Sequence, residues 1–182
     1  MDNIIKVADA LVRRYKTRNP FQIAYHLNIT VKHASFSQLK GFYNYSYRNR
    51  FIVINSRLNE VEQAITCSHE LGHDRLHRKQ ARLGLMKDHY IYNMTDLYER
   101  EANLFAAQLL ISDRDFLDYA SMKYTHAQIA AELNVHEELA IIKGTILNKQ
   151  GHCLNLPYVP NSTYLAEKCS ESFSTYYVNQ AK

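Results

Sequence analysis

The sequence predicts an α+β domain, a small and mostly antiparallel sheet set among helices. Three observations carry this. Between Ile29 and Asn55 the chain is rich in β-branched and aromatic residues, which suit a pleated, half-buried surface. From Leu58 onward apolar residues recur at the three- and four-residue spacing of helices. With only 5 Gly and 3 Pro, the elements must be separated mainly by capping residues.

Taken in order, Ile4, Ile5, Ala8, Leu11, Val12 and Tyr15 follow Asp2 at helical spacing and define the first helix. Asn19-Pro20 opens a second: the Asn side chain caps free N–H groups, and proline at the first helical position has no N–H to lose. Ile29 to Phe36, Phe42 to Tyr47 and Phe51-Ile-Val-Ile-Asn55 read as strands. The last two flank a polar turn at Arg48 to Arg50 and are expected to pair antiparallel. Leu58, Val61, Ala64, Ile65, Ser68, Leu71, Gly72 and Leu76 share one broad face of a long helix reaching about Arg78. Residues 80–94 read as an irregular connection, and Thr95 as the cap of a helix running to about Ile111. Ser112-x-x-Asp115 and Thr125-x-x-Gln128 resemble capping boxes and open further short helices ending near Gln150-Gly151. The organisation expected is a core over 1–111, a C-terminal helical hairpin over 112–150 in the same compact unit, and an extended tail over 151–182.

Composition excludes several classes. A chain of 182 residues, 46% hydrophobic and 22% charged, matches one soluble domain. The net charge of +4 comes without long Lys/Arg runs, so nucleic acid is not implied. No apolar stretch is long enough to span a bilayer and residues 1–20 have no signal-peptide pattern, so a cytoplasmic protein with no membrane partner is expected. Cys67, Cys153 and Cys169 are odd in number and lack CxxC spacing, which argues against a disulfide framework or a zinc knuckle.

The chemistry concentrates in His69-Glu70-Leu71-Gly72-His73, an HExxH motif on the long helix. Histidines four residues apart project from one helix face, so both rings can meet one metal ion, with Glu70 beside it as a candidate general base. Two imidazoles and a carboxylate favour zinc, Zn2+, with water in the fourth position. The metzincin third histidine is absent, since that position is Lys79, and His77 is expected to drift away from the metal. The next helix offers Glu99 and Glu101 beside the small residues Ala102 and Ala106, which permit close packing. Glu101 shares a face with Phe105 and Leu109, and either acid is a candidate third ligand.

HELGH followed about thirty residues later by Glu99-x-x-Ala102-Asn103-x-Phe105-Ala106-x-x-Leu109-Leu110 resembles the ImmA/IrrE family of metallo-endopeptidases. The resemblance extends over most of residues 1–150, through Asn19-Pro20, Leu76-His77-Arg78 and Leu133-Asn134-Val135; Ile111-Ser112 departs from the family's usual Met-Pro. It implies a zincin-like fold in which the HExxH helix packs against a Glu-bearing helix. It also implies a zinc ion on His69, His73 and Glu99, with Glu101 kept as the alternative, and Glu70 as catalytic base. Asn103, one turn beyond Glu99, is placed to hydrogen-bond a ligating histidine. The implied substrate is a DNA-binding repressor of a mobile element or stress response.

Weaker signals need less. No side-chain donor for an oxyanion stands out among the 14 Tyr and 9 His. The strands over 42–47 or 51–55 could bind an extended substrate or be plain core sheet. Arg75, Arg78, Lys79 and Arg82 are expected to stay solvated at a helix C-terminus. Ile129 to Val135 followed by Glu138 to Leu147 has a helix-turn-helix shape. His136, Glu137 and Glu138 at the start of its second helix would set two acids against phosphate, so direct DNA binding is not expected. The competing functional reading is a non-proteolytic module with a structural zinc site that binds DNA or a regulator.

Overall fold

In the computed structural model, which describes residues 1–46, 48–82 and 92–155, the chain is α+β. Helices α1 (Asp2–Tyr15) and α2 (Pro20–His26) precede three strands, β1 (Thr30–Ala34), β2 (Gly41–Ser46) and β3 (Asn49–Asn55). Helices α3 (Glu60–Leu76), α4 (Arg78–Arg82), α5 (Tyr92–Leu110), α6 (Asp113–Ser121), α7 (His126–Glu132) and α8 (Glu137–Lys149) follow.

Local chemistry sets most boundaries. Asn19 accepts hydrogen bonds from the N–H groups of Phe21 and Gln22, with Pro20 in the first helical position. Asn59 caps α3 through the Glu62 N–H. Ser112 caps α6, and Thr125 and Gln128 form a reciprocal capping box on α7. Asn134 takes the left-handed conformation, φ 51°, that turns the chain from α7 into α8. Two boundaries depart from expectation. The long helix stops at Leu76, with His77 at its C-cap and the short α4 beyond. Helix α5 begins at Tyr92, so Thr95 lies inside its first turn instead of capping it. Residues 83–91 of the expected connection, Tyr47, and 156–182 of the expected tail lie outside the described residues.

The sheet has the order β1-β3-β2. As the turn at Arg48 implies, β2 and β3 pair antiparallel, Tyr43 opposite Ile52. The sheet is nevertheless mixed, because β1 pairs parallel with β3, Val31 opposite Ile52. Ile52, Val53 and Ile54 are all buried, and a continuous apolar run belongs in a strand covered on both faces and paired on both sides. Asn55 holds the return from β1 to β2: its Nδ2 donates to the carbonyls of Phe36 at 3.1 Å and Leu39 at 2.9 Å.

One core cluster joins Ile4, Ala8 and Leu11 of α1 to Ile23, Ile52, Ile54, Cys67, Leu71, Phe105 and Leu109. A second joins Ile65 of α3 and Ala106 and Ala107 of α5 to Phe116, Ile129, Leu139 and Ile146 of the C-terminal helices. Helix α5 runs between them. Its C-terminal carbonyls are bound by Arg18, whose Nη1 donates to Gln108 O at 2.9 Å and Leu109 O at 2.8 Å. Lys143 of α8, fully buried, donates to Gln108 Oε1 at 2.6 Å and pairs with Asp113, which satisfies a cation that would otherwise be costly to bury.

Candidate metal centre

The centre is built where α3 crosses α5. Gly72 lies at the closest approach: a Cβ there would stand 3.1 Å from Ala102 Cα and 3.3 Å from a Phe105 ring carbon. A hydrogen at Gly72 and a methyl at Ala102 thus bring the two backbones together, and this lets a side chain of α5 reach histidines on α3. His69 and His73, one turn apart, are both buried and turned toward α5.

Glu99 is the acid that meets them. Its Oε2 lies 3.0 Å from His69 Nε2 and its Oε1 3.4 Å from His73 Nε2, while the two Nε2 atoms are 3.0 Å apart. Metal bonds of about 2.0–2.1 Å at tetrahedral angles put neighbouring ligand atoms about 3.3–3.4 Å apart. The observed triangle is a slightly contracted version of that arrangement, and its donors, two imidazole nitrogens and a carboxylate oxygen, are a set that zinc accepts. Among the described residues, His69, His73 and Glu99 form a group of metal-binding donors lying within 4.8 Å of one another. Both histidines are buried, whereas the Glu99 side chain is 23% exposed, so the centre reaches solvent on the glutamate side.

Glu101 does not join this triangle. Two residues beyond Glu99 it is turned about 200° around the helix, and its Oε2 lies instead 2.9 Å from His77 Nε2. The geometry thus brings Glu99, and not Glu101, to the two histidines. His77, expected to drift away from the metal, stays outside the triangle, yet it packs directly behind His73, with Nδ1 3.1 Å from His73 Nδ1. The 69, 73, 77 spacing was the available signal, since each step of four returns to nearly the same helix face. Asn103 Oδ1 lies 2.8 Å from His69 Nδ1, where a carbonyl oxygen accepts the Nδ1–H and leaves Nε2 bare toward the centre.

Burial controls the charges. Glu70, 7% exposed, is raised to about 7 by loss of solvent, with the nearby Glu99 adding to the rise and His69 and a backbone hydrogen bond from Tyr43 opposing it. Burial likewise lowers His73 to about 4. For Glu99, burial pushes upward but its close contacts with His69 and His73 outweigh it, and the carboxyl sits well below the usual range. Burial also opposes protonation of His69, yet the contact with Glu99 raises it overall. Because the Glu70 value is raised in the fold from 4.5 to about 7, ionising this buried carboxyl costs stability as pH climbs through that window, and the cost is absent below it. In metal-free protein Glu70→Gln should therefore be more stable than the parent at pH 8 by up to about 3 kcal/mol. At pH 4 that gain should vanish. Denaturant midpoints in chelator at the two pH values check it, and an equal effect at both would contradict the assignment.

A second buried acid lies behind the centre. Asp74 accepts from Tyr43 Oη at 2.8 Å and from Arg78 Nη2 at 2.7 Å, with Arg50 at 3.4 Å and Arg75 at 3.8 Å. Arg75 and Arg78 are thus turned onto Asp74 as well as solvent; Tyr43 and Arg50 tie Asp74 to the sheet, and Arg78 ties α4 to α3.

An α+β fold with two helix-borne histidines and a glutamate from the packed neighbouring helix is the arrangement of a zincin-like domain. The chain belongs to the IrrE N-terminal-like domain family, Peptidase M78, a family of zinc metallopeptidases whose profile matches residues 24–143. It is also 42% identical over 142 residues to "Uncharacterized immunity region protein 2" of Bacillus phage phi105, a match covering 77% of this chain and 89% of the relative. No helix among the described residues is long and apolar enough to cross a membrane.

Proposed function

We propose that the protein is a zinc-dependent endopeptidase that cleaves, and thereby inactivates, a helix-turn-helix transcriptional repressor of a mobile element or stress response. The observation that carries the reading is the convergence of His69, His73 and Glu99 beside the buried carboxyl of Glu70. His69, His73 and Glu99 would hold the ion. When bound, zinc supplies a Lewis acid for the peptide carbonyl and brings its water to a pKa of about 7. Glu70 takes a proton from the attacking water and delivers it to the leaving amine. Its desolvated carboxyl, poised near neutrality, suits both transfers.

The substrate class draws its support from two sources. The phage relative is named for an immunity region, and the C-terminal hairpin offers no free reading helix. Leu139, Ala140, Lys143, Gly144, Ile146 and Leu147 of α8 are buried, and acids Glu137 and Glu138 open that helix. Such a hairpin suits a protein partner, not a DNA groove. A non-proteolytic module is disfavoured because a structural site has no need of a buried base. Incubating the zinc-loaded protein with the repressor encoded beside it should give a defined cut by mass spectrometry that Glu70→Gln fails to make. Rapid zinc-dependent digestion of casein with the repressor left intact would overturn the substrate assignment in favour of a broad degradative peptidase.

A further inference from the structure

We propose that Glu101 and His77 form a positioning relay that fixes the ring of His73 and the tautomer it presents to the metal. The proposal rests on the zinc site described above and concerns residues outside its ligand triangle. Three contacts run in line: Glu101 Oε2 to His77 Nε2 at 2.9 Å, His77 Nδ1 to His73 Nδ1 at 3.1 Å, and His73 Nε2 to the centre, 3.0 Å from His69 Nε2. His77 is 2% exposed, and its ring is packed between those of His73 and Tyr98, with centroids 5.3 Å and 4.6 Å away.

The proton positions follow from what each group can do. An ionised carboxylate only accepts, so His77 must carry its hydrogen on Nε2. A neutral imidazole has one N–H, so His77 Nδ1 is a bare acceptor. His73 must then donate from Nδ1, which leaves its Nε2 lone pair facing the metal position. On the opposite side Asn103 does the same for His69 in one step, through an amide oxygen. The two ligating histidines are therefore oriented by different devices, one neutral and one ending in a charge. The charged one should also raise the basicity of its ligand. Without Glu101, His77 is free to carry its hydrogen on Nδ1 and donate to His73, which moves the His73 hydrogen onto Nε2, where it excludes the ion.

Glu101, at 33% side-chain exposure, can be changed without opening the core. The test measures zinc affinity by competition with a chromogenic chelator, alongside thermal midpoints of the metal-free proteins, for the parent, Glu101→Leu, Glu101→Gln, His77→Phe and the double variant His77→Phe/Glu101→Leu. Glu101→Leu and His77→Phe should each weaken zinc by about 10- to 100-fold, the range for outer-shell partners of metal ligands. Glu101→Gln, whose amide oxygen still accepts from His77, should keep most of the affinity. The double variant should be no weaker than His77→Phe alone, because Glu101 acts only through His77. The metal-free midpoint of Glu101→Leu should match the parent, which a merely structural ion pair would not allow. Parent-like affinity in both single variants, or additive losses in the double variant, would overturn the relay and leave the zinc site standing. A parent that binds no zinc would overturn both.

Discussion

Glu70→Gln is expected to bind one zinc per chain as the parent does and to lose cleavage of its repressor substrate by at least about a hundredfold, the lower end of what a positioned general base contributes. The two halves of that result are separable because Glu70 lies outside the ligand triangle of His69, His73 and Glu99. The substitution is nearly isosteric, and the backbone hydrogen bond from Tyr43 can be accepted by an amide oxygen as well as by a carboxylate. What disappears is the proton-accepting carboxylate. Metal analysis and a cleavage time course on the same preparation check it. Parent-like cleavage would remove Glu70 from the mechanism, and a matching loss of zinc would mean that it serves the metal instead.

The second large effect concerns the ligands. His69→Ala, His73→Ala and Glu99→Gln should each lose most bound zinc, a larger loss than that of any outer-shell variant, while Glu101→Gln should retain it. Each of the first three deletes a donor from a three-residue set, and a site reduced to two protein donors loses affinity steeply. Because the ion binds the folded chain and not the unfolded one, chelation should lower the melting temperature of the parent. Zinc at a hundred times its dissociation constant contributes about 2.7 kcal/mol. The Glu99→Gln and histidine variants should show no such shift on chelation. If Glu101→Gln alone lost the metal, the triangle would be misassigned even though the family membership stands.

How much of this was legible in the sequence follows from the range of each interaction. Helix starts at Pro20, Glu60, Asp113 and His126 were marked by Asn19, Asn59, Ser112 and Thr125. A cap acts within three residues of itself, so its signal is local. The hairpin of β2 and β3 was equally local. The pairing of β1 with β3 was not, because a parallel partner on the far side of a hairpin leaves no mark in either strand beyond an apolar run.

The centre divides in the same way. The HELGH spacing by itself determined that His69 and His73 share a face and that Glu70 lies beside them, because a helix rotates each residue by a fixed angle. Residue types alone left Glu99 and Glu101 as alternatives. Only the tertiary structure sets which of them meets the two histidines, since that depends on how α5 is rotated about its axis against α3, a rotation set by the contact of Gly72 with Ala102 and Phe105. The same contact carries Glu101 to His77, a pairing across 24 residues for which the sequence offers two polar residues and no periodicity to join them. Spacing within one helix is dictated by backbone geometry; the meeting of two helices is dictated by the packing of side chains distant in sequence.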